Sequence, residues 1–439
     1  MPKSPLVATL LRGAGTALGI QIVSVVLIYS SQVLLAQWMG ATDYGAYDYA
    51  VTLSMVLAFL AGLGLSSAVL RFVPEYTVQQ DWARLRGVIW GSWWQTLGAG
   101  LIIAAIAAGV ISWVTESQGI DSGLQQTLWL GAGLVPLVAL MKLQLELARS
   151  IRSIFLAYAP SLVVYPLLLM VAALVWVKVQ GSLTSAAAIG LSIVVLSIVL
   201  AVQFWLFHQV LTPYVQTVRP IYALRQWLVI SLPMLFIDGS FIVLNQTDTL
   251  MIGGFLGTKA VGVYGAAFKT AGWVSFILVA VNAIAAPMFA TLYAEGDRAG
   301  LQQMVSAIAR WMFYPALVMA LGLFIFAEPI LSVFGSEFVV AKWAVMALAV
   351  GQLVNVGAGS VGYLLNMTGH QNQCARVIGY AAVLNLVLNL LLIPLLGVLG
   401  AAIATAISMS VWNIWLNRLV VKHLDVNPSI VAAIIQSKG

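Results

Sequence analysis

Charge is scarce in this chain of 439 residues: 8% are Asp, Glu, Lys or Arg, against 62% hydrophobic residues. A soluble domain carries roughly a quarter charged residues, so a water-soluble fold is excluded and the chain reads as a polytopic membrane protein, with a mean hydropathy of +1.01. Cysteine is nearly absent: a single residue, Cys374, rules out an internal disulfide and a thiolate metal site and reads as a small buried thiol. The three histidines, His208, His370 and His423, stand apart near the ends of apolar runs and form no ligand-spaced set. No phosphate loop, metal motif or nucleophile triad occurs. A cleavable signal peptide is not expected either, because the first apolar run continues for a full span without an early small-residue cleavage site. The net charge of +6 comes from basic residues scattered in ones, twos and threes between apolar runs, which reads as a topology signal and excludes a nucleic-acid surface.

What is present is a repeat. The stretch Gly40 to Tyr76, shifted by 217 positions (257 minus 40), lies without a gap on Gly257 to Tyr293. Gly40, Gly45, Tyr47, Ala50, Phe59, Ala68, Phe72 and Tyr76 recur as Gly257, Gly262, Tyr264, Ala267, Phe276, Ala285, Phe289 and Tyr293. Each copy reads as a Gly-bracketed turn ending in Tyr, followed by a long apolar helix.

Apolar runs of about 20 residues predict twelve helices, near 13–37, 47–70, 87–113, 124–143, 154–177, 185–208, 226–248, 261–290, 308–326, 342–365, 375–393 and 399–420. Their connections alternate in charge. The N-terminus, 71–86, 142–153, 209–225, 291–310, 366–376 and the C-terminus hold sixteen of the twenty Lys and Arg; the opposite connections hold Lys178, Lys259 and Lys342. Positive charge resists translocation, which puts both termini and the basic loops in the cytoplasm. The opposite connections are short and carry Asp43, Glu116, Asp121, Asp248, Glu328 and Glu337. Six spans separate the two copies of the repeat, an even number, so the halves are parallel repeats. The expected domains are an N-terminal six-helix lobe over 1–208, a polar, Pro-containing cytoplasmic linker over 209–225 and a C-terminal six-helix lobe over 226–439. Trp38, Tyr44, Trp113, Trp176, Trp227 and Trp343, at span ends, fit an interfacial aromatic belt.

Ionisable side chains inside hydrocarbon face a partner or a water-filled cavity, so those few are the candidate site. Asp238 sits midway along the seventh span. Asn245 and Thr249, at i+7 and i+11, return to its azimuth within ~20°. At the repeat offset Asp238 falls on Gln21 and Thr249 on Gln32, so span one carries a matching polar stripe. The two stripes either border a cleft between lobes or hydrogen-bond across a packed bundle. Lys269 lies ~12 Å below the extracytoplasmic end of span eight, with Asp238 as its expected partner and Asp248 as a shallower option. Such a pair either only holds the bundle together or also lines the cavity. Arg71 ends span two, as an interfacial anchor or as a cation at the mouth of a cavity that receives an anionic headgroup. Asn385 and Asn389, one turn apart, read as glue between helices, with contact to substrate as the alternative.

The segments MGATDYGAYDYA from Met39 and GLGLSSAVLRFVPEY ending at Tyr76 resemble the start of the polysaccharide and lipid-linked oligosaccharide flippases, the O-antigen type of the multidrug/oligosaccharidyl-lipid/polysaccharide exporter superfamily. DTLMIGGFLGTKAVGVYGAAFK from Asp248, the TGH turn at Thr368 and NLVLNLLLIPLLGVLGAAIATAIS from Asn385 extend the resemblance over nearly the whole chain. It implies two six-helix lobes around a V-shaped cavity, alternating access, and transport of polyprenyl-pyrophosphate-linked glycans to the outer leaflet of a bacterial inner membrane for surface polysaccharide synthesis. Lipid-linked glycan and membrane lipid are then the partners, with a glycan polymerase and chain-length machinery as candidates, no cofactor, and H+ or Na+ as candidate coupling ion. A cation-coupled multidrug extruder of the same superfamily is the alternative. A membrane glycan polymerase or ligase is the third reading, opposed by the short outer loops.

Overall fold

The computed structural model describes residues 5–118, 121–211 and 218–436, and every regular element among them is helical. Two compact units divide after Gly239. Ten helical segments among the described residues are long and apolar enough to cross a membrane. One of them, Gly19–Ala61, has 43 residues, or roughly 64 Å of helix, about twice the hydrocarbon thickness.

Unit 1 contains α1 (Pro5–Ala61), α2 (Leu65–Val78), α3 (Trp82–Gln118), α4 (Ser122–Ser150), α5 (Ile154–Ala159), α6 (Tyr165–Gln180), α7 (Ser185–Leu211) and the first turns of α8 (Leu224–Leu256). The expected turn from Gly40 to Tyr47 is instead a one-residue break: Gly40 has φ 75 and ψ 173, and the helix resumes at once. Only a residue without Cβ takes that conformation cheaply, so one glycine suffices where a loop of eight residues was expected. The first predicted span and most of the second, as far as Ala61, therefore lie in one element, and the second ends in α2. Gly257 repeats the break, at φ 81 and ψ 178, between α8 and α9 (Thr258–Ala271). Asp43, expected in the turn, is helical and accepts hydrogen bonds from Ser185 N at 3.0 Å and Ser185 Oγ at 2.8 Å, fixing the start of α7.

At the centre of unit 1, α4 packs on α1, α2, α3 and α7, and Ser54 Oγ donates to Gly131 O at 2.7 Å across the α1–α4 contact. Before α8, residues 218–223 lie along the start of α3: Ile221 N donates to Ala83 O at 3.0 Å and Arg86 Nη1 to Val218 O at 2.8 Å. In the first turns of α8, Trp227 is fully buried and its Nε1 donates to the Tyr76 hydroxyl at 3.2 Å, while Ser231 Oγ donates to Leu63 O at 2.7 Å. These contacts explain why the division falls inside α8. They also correct the aromatic belt. Trp227 and Tyr44 are core residues, Tyr44 donating to Gln32 Oε1 at 2.9 Å.

Unit 2 continues with α9, α10 (Phe276–Ala294), α11 (Arg298–Ser332), α12 (Lys342–Ala358), α13 (Val361–Met367), α14 (Gln371–Leu396), α15 (Val398–Leu424) and α16 (Ile430–Gln436). The long helix α15 packs along both α12 and α14, and α12 also meets α9 and α11. Phe289, Leu301, Leu364, Leu416 and Leu424 form one apolar cluster of this unit. Within this bundle α8, α9, α14 and α15 each contribute to one polar site.

Candidate functional site

A carboxylate lies in the core of unit 2. Asp248, on α8, is 2% exposed. The break at Gly257 starts a new helix, α9, which supplies Tyr264; its hydroxyl donates to Asp248 Oδ2 at 2.5 Å. Two asparagines one turn apart on α14 share a face of that helix. Asn389 Nδ2 donates to Asp248 Oδ1 at 2.6 Å and to Asn385 Oδ1 at 3.0 Å. From α15, Thr405 Oγ1 donates to Asp248 Oδ2, and it accepts from Asn385 Nδ2 at 3.3 Å. Tyr264, Asn385, Asn389 and Thr405 are buried as well.

Every hydrogen-bond partner of Asp248 among the described residues is uncharged. An ionised carboxylate taken out of water without a cation costs several kcal/mol, and donated hydrogen bonds offset only part of that. A carboxylate so placed is one that could take up a proton or a cation. The oxygens fit either role. Asn389 Oδ1 is buried with no partner among the described residues, so the site offers a carboxylate, amide oxygens and a hydroxyl, the all-oxygen set that hard cations take. Beside it lies a cavity of about 100 Å³ whose walls include Asn385, Thr405, Ser408, Gln352, Phe241 and Asn245.

The sequence-derived candidates are placed as follows. Asn245 is exposed, borders that cavity and donates to Phe241 O of its own helix at 2.7 Å. Thr249 is buried one residue beyond Asp248. Lys269 is half-buried on α9. The Asp238 side chain lies outside the described residues, so the expected pair with Lys269 stays a proposal. In unit 1, Gln21 is half-buried with Oε1 lacking a partner among the described residues, Gln32 accepts from Tyr44, and Arg71 is exposed beside Glu75 at 3.6 Å. Asp248 was expected in an extracytoplasmic turn, and Asn385 and Asn389 as glue between helices rather than as substrate contacts. The structure brings the three together. The signal was in the repeat: Tyr264 recurs from Tyr47, and Asp248 falls on Ser31, which donates to Ile28 O at 2.7 Å. Unit 2 thus holds a carboxylate at a position where unit 1 has a hydroxyl.

Residues 233–391, which include Asp248, Tyr264, Asn385 and Asn389, match the family model MatE. Among curated relatives, the chain is 30% identical over 169 residues to a probable low-salt glycan biosynthesis flippase, Agl15, of Haloferax volcanii, covering 37% of this chain and 35% of that one. It is 29% identical over 191 residues to a probable flippase, AglR, of the same organism, covering 42% and 40%. The matches thus span well under half of either relative. Among solved structures, an inward-facing multidrug resistance MATE family transporter of the MOP superfamily superposes with a TM-score of 0.74 at 15% identity, over 94% of this chain and 99% of that one. The lipid II flippase MurJ in an inward closed conformation gives 0.72 at 13% identity, over 91% and 86%. The chain is a multi-span membrane protein that shares its fold with these two solved structures, one described as a transporter and the other as a flippase.

Proposed function

We propose that the protein is an alternating-access transporter that flips polyprenyl-pyrophosphate-linked oligosaccharides across the cytoplasmic membrane, from twelve spans in two parallel six-helix repeats. Fold alone does not choose the cargo, since a multidrug transporter and a lipid flippase superpose equally well. The observation that carries the glycan reading is the sequence similarity to two relatives described as probable flippases, one of them of glycan biosynthesis. The buried Asp248 cluster is the coupling site, taking up Na+ or H+ at a carboxylate whose partners are uncharged. Coupling needs a site that exchanges its ion as the bundle changes state, and an uncompensated carboxylate beside a cavity provides one.

The test is reconstitution in liposomes with a labelled lipid-linked oligosaccharide and, in parallel, a cationic dye. Flipping of the glycan lipid without dye export supports the reading, and dye export alone overturns it in favour of the multidrug alternative. Asp248→Asn tests the coupling site. We expect a folded protein that no longer responds to an imposed Na+ or H+ gradient and whose melting temperature no longer rises with added Na+ or with acid. Gradient-driven flipping by Asp248→Asn at the wild-type rate would remove Asp248 from the mechanism.

A further inference from the structure

Unit 1 holds a cavity of its own, at the end where α2, α4 and α7 finish and α3 begins. Its volume is about 550 Å³, within the range of roughly 300–1,000 Å³ usual for small-molecule sites. Val73, Val78, Leu85 and Val210 give it apolar walls, and Thr77, Ser150 and Arg152 are polar. Both hydroxyls are spent on their own helices, Thr77 on Val73 O and Ser150 on Leu147 O, each at 2.6 Å. The Arg152 guanidinium is different. Nearby arginines are held by carboxylates: Arg71 by Glu75, Arg84 by Asp81 and Arg149 by Glu146. Arg152 has no side-chain partner among the described residues.

The backbone at Arg152 is strained. It has φ 61 and closes α4 in a left-handed turn, with Ser153 N donating to Ala148 O at 3.0 Å. The position 217 residues later closes α13 in the same way: Gly369 has φ 84, and His370 N donates to Leu365 O at 2.8 Å. Glycine is the residue that turn favours, and any other pays about 1 kcal/mol there. One copy of the repeat has the favoured glycine. The other keeps an arginine, and its side chain lines a cavity. Leu63, Gln80 and Asp425 share a positive φ without lining this cavity, so what singles out Arg152 is its cation on the cavity wall.

We propose that this cavity binds an anionic phospholipid, with the phosphate on Arg152 and an acyl chain along Val73, Val78, Leu85 and Val210. A guanidinium grips phosphate bidentately, and apolar walls favour a chain-bearing ligand over a free anion. The site lies outside the Asp248 cluster and does not rest on the transport reading.

The experiment uses delipidated full-length protein in detergent, titrated with short-chain phosphatidylglycerol, with phosphatidylcholine of the same chain length and with inorganic phosphate. Bound lipid is counted by native mass spectrometry and melting is followed in parallel. Phosphatidylglycerol alone is expected to raise the melting temperature. Arg152→Gly should bind it about tenfold or more weakly, since the bidentate charge-assisted hydrogen bonds to the phosphate are lost. Without lipid, that variant should melt at or above wild type, because glycine suits the turn. Val210→Trp keeps the cation but narrows the cavity, and should also lose binding. Undiminished binding by either variant overturns the proposal, as does Arg152→Gly melting well below wild type without lipid. A shift produced equally by phosphatidylcholine or by inorganic phosphate also overturns it, by showing an unselective apolar groove or a free-anion site.

Discussion

At the scale of the residue, Asp248 decides how the core of unit 2 responds to substitution. Tyr264 and Thr405 both donate to its Oδ2, and Asn389 donates to Oδ1. Tyr264→Phe keeps the ring packing and removes one donor, leaving Thr405 on the same oxygen. The expected cost is about 1–3 kcal/mol, that of a hydrogen bond to a charged group in a buried site. A thermal melt at saturating Na+ and at zero Na+ checks it, with a larger loss in the absence of Na+, when the carboxylate depends on its donors alone. Equal melting of Tyr264→Phe and wild type under both conditions would show that the phenol adds nothing to the carboxylate. Little of this was legible in the sequence. Hydropathy marks where an apolar run stops, and it stops near Asp248, whereas α8 runs on to Leu256 because the polar side chains there are met by α9, α14 and α15. The Asn385 and Asn389 pair was visible as one helical face; what that face meets depends on tertiary packing.

At the scale of the element, the segment before α8 is a strap fastened to α3. Gly87 makes this possible, since a Cβ there would meet Ile221 O at 1.8 Å. Gly87→Val therefore displaces residues 218–223 while leaving α3 helical, because valine is a better helix former than the glycine it replaces. Limited trypsin digestion should cut faster at Arg219 and Arg225 in this variant than in wild type, as read by mass spectrometry. Identical cleavage rates would mean that the strap is not held by the Gly87 contact. A linker over 209–225 was expected from its proline and polar residues; the fastening of residues 218–223 to α3 was not. A lone glycine in an apolar helix does not announce whether a backbone lies against it. The same limit applied at Gly40, where the repeat was read from Gly40 and Gly257 but a turn was expected in place of a single left-handed residue.

At the scale of the whole molecule, the distribution of charge predicts orientation, and side-chain chemistry supplies a clean measurement of it. Cys374 is the only cysteine, and it is buried, so Cys374→Ala gives a background without reactive thiols at the modest cost of a small cavity. Single cysteines are then introduced at Gly296, beside the basic turn that precedes α11, and at Ser336, in the acidic connection before α12. Arg298 and Arg310 follow the first position, while Glu328 and Glu337 flank the second. Positive charge resists translocation and acidic residues contribute little, so Gly296→Cys is expected in the cytoplasm and Ser336→Cys outside. A membrane-impermeant maleimide applied to intact cells should label Ser336→Cys and spare Gly296→Cys, with both labelled after the membrane is opened. By the even number of spans between repeat copies, the equivalent turn of unit 1 shares the side of Gly296, so a cysteine at Gln80 should behave like the one at Gly296. Labelling of Gln80→Cys from outside while Gly296→Cys is protected would make the repeats antiparallel, and with them the twelve-span count and the alternating-access reading would fall.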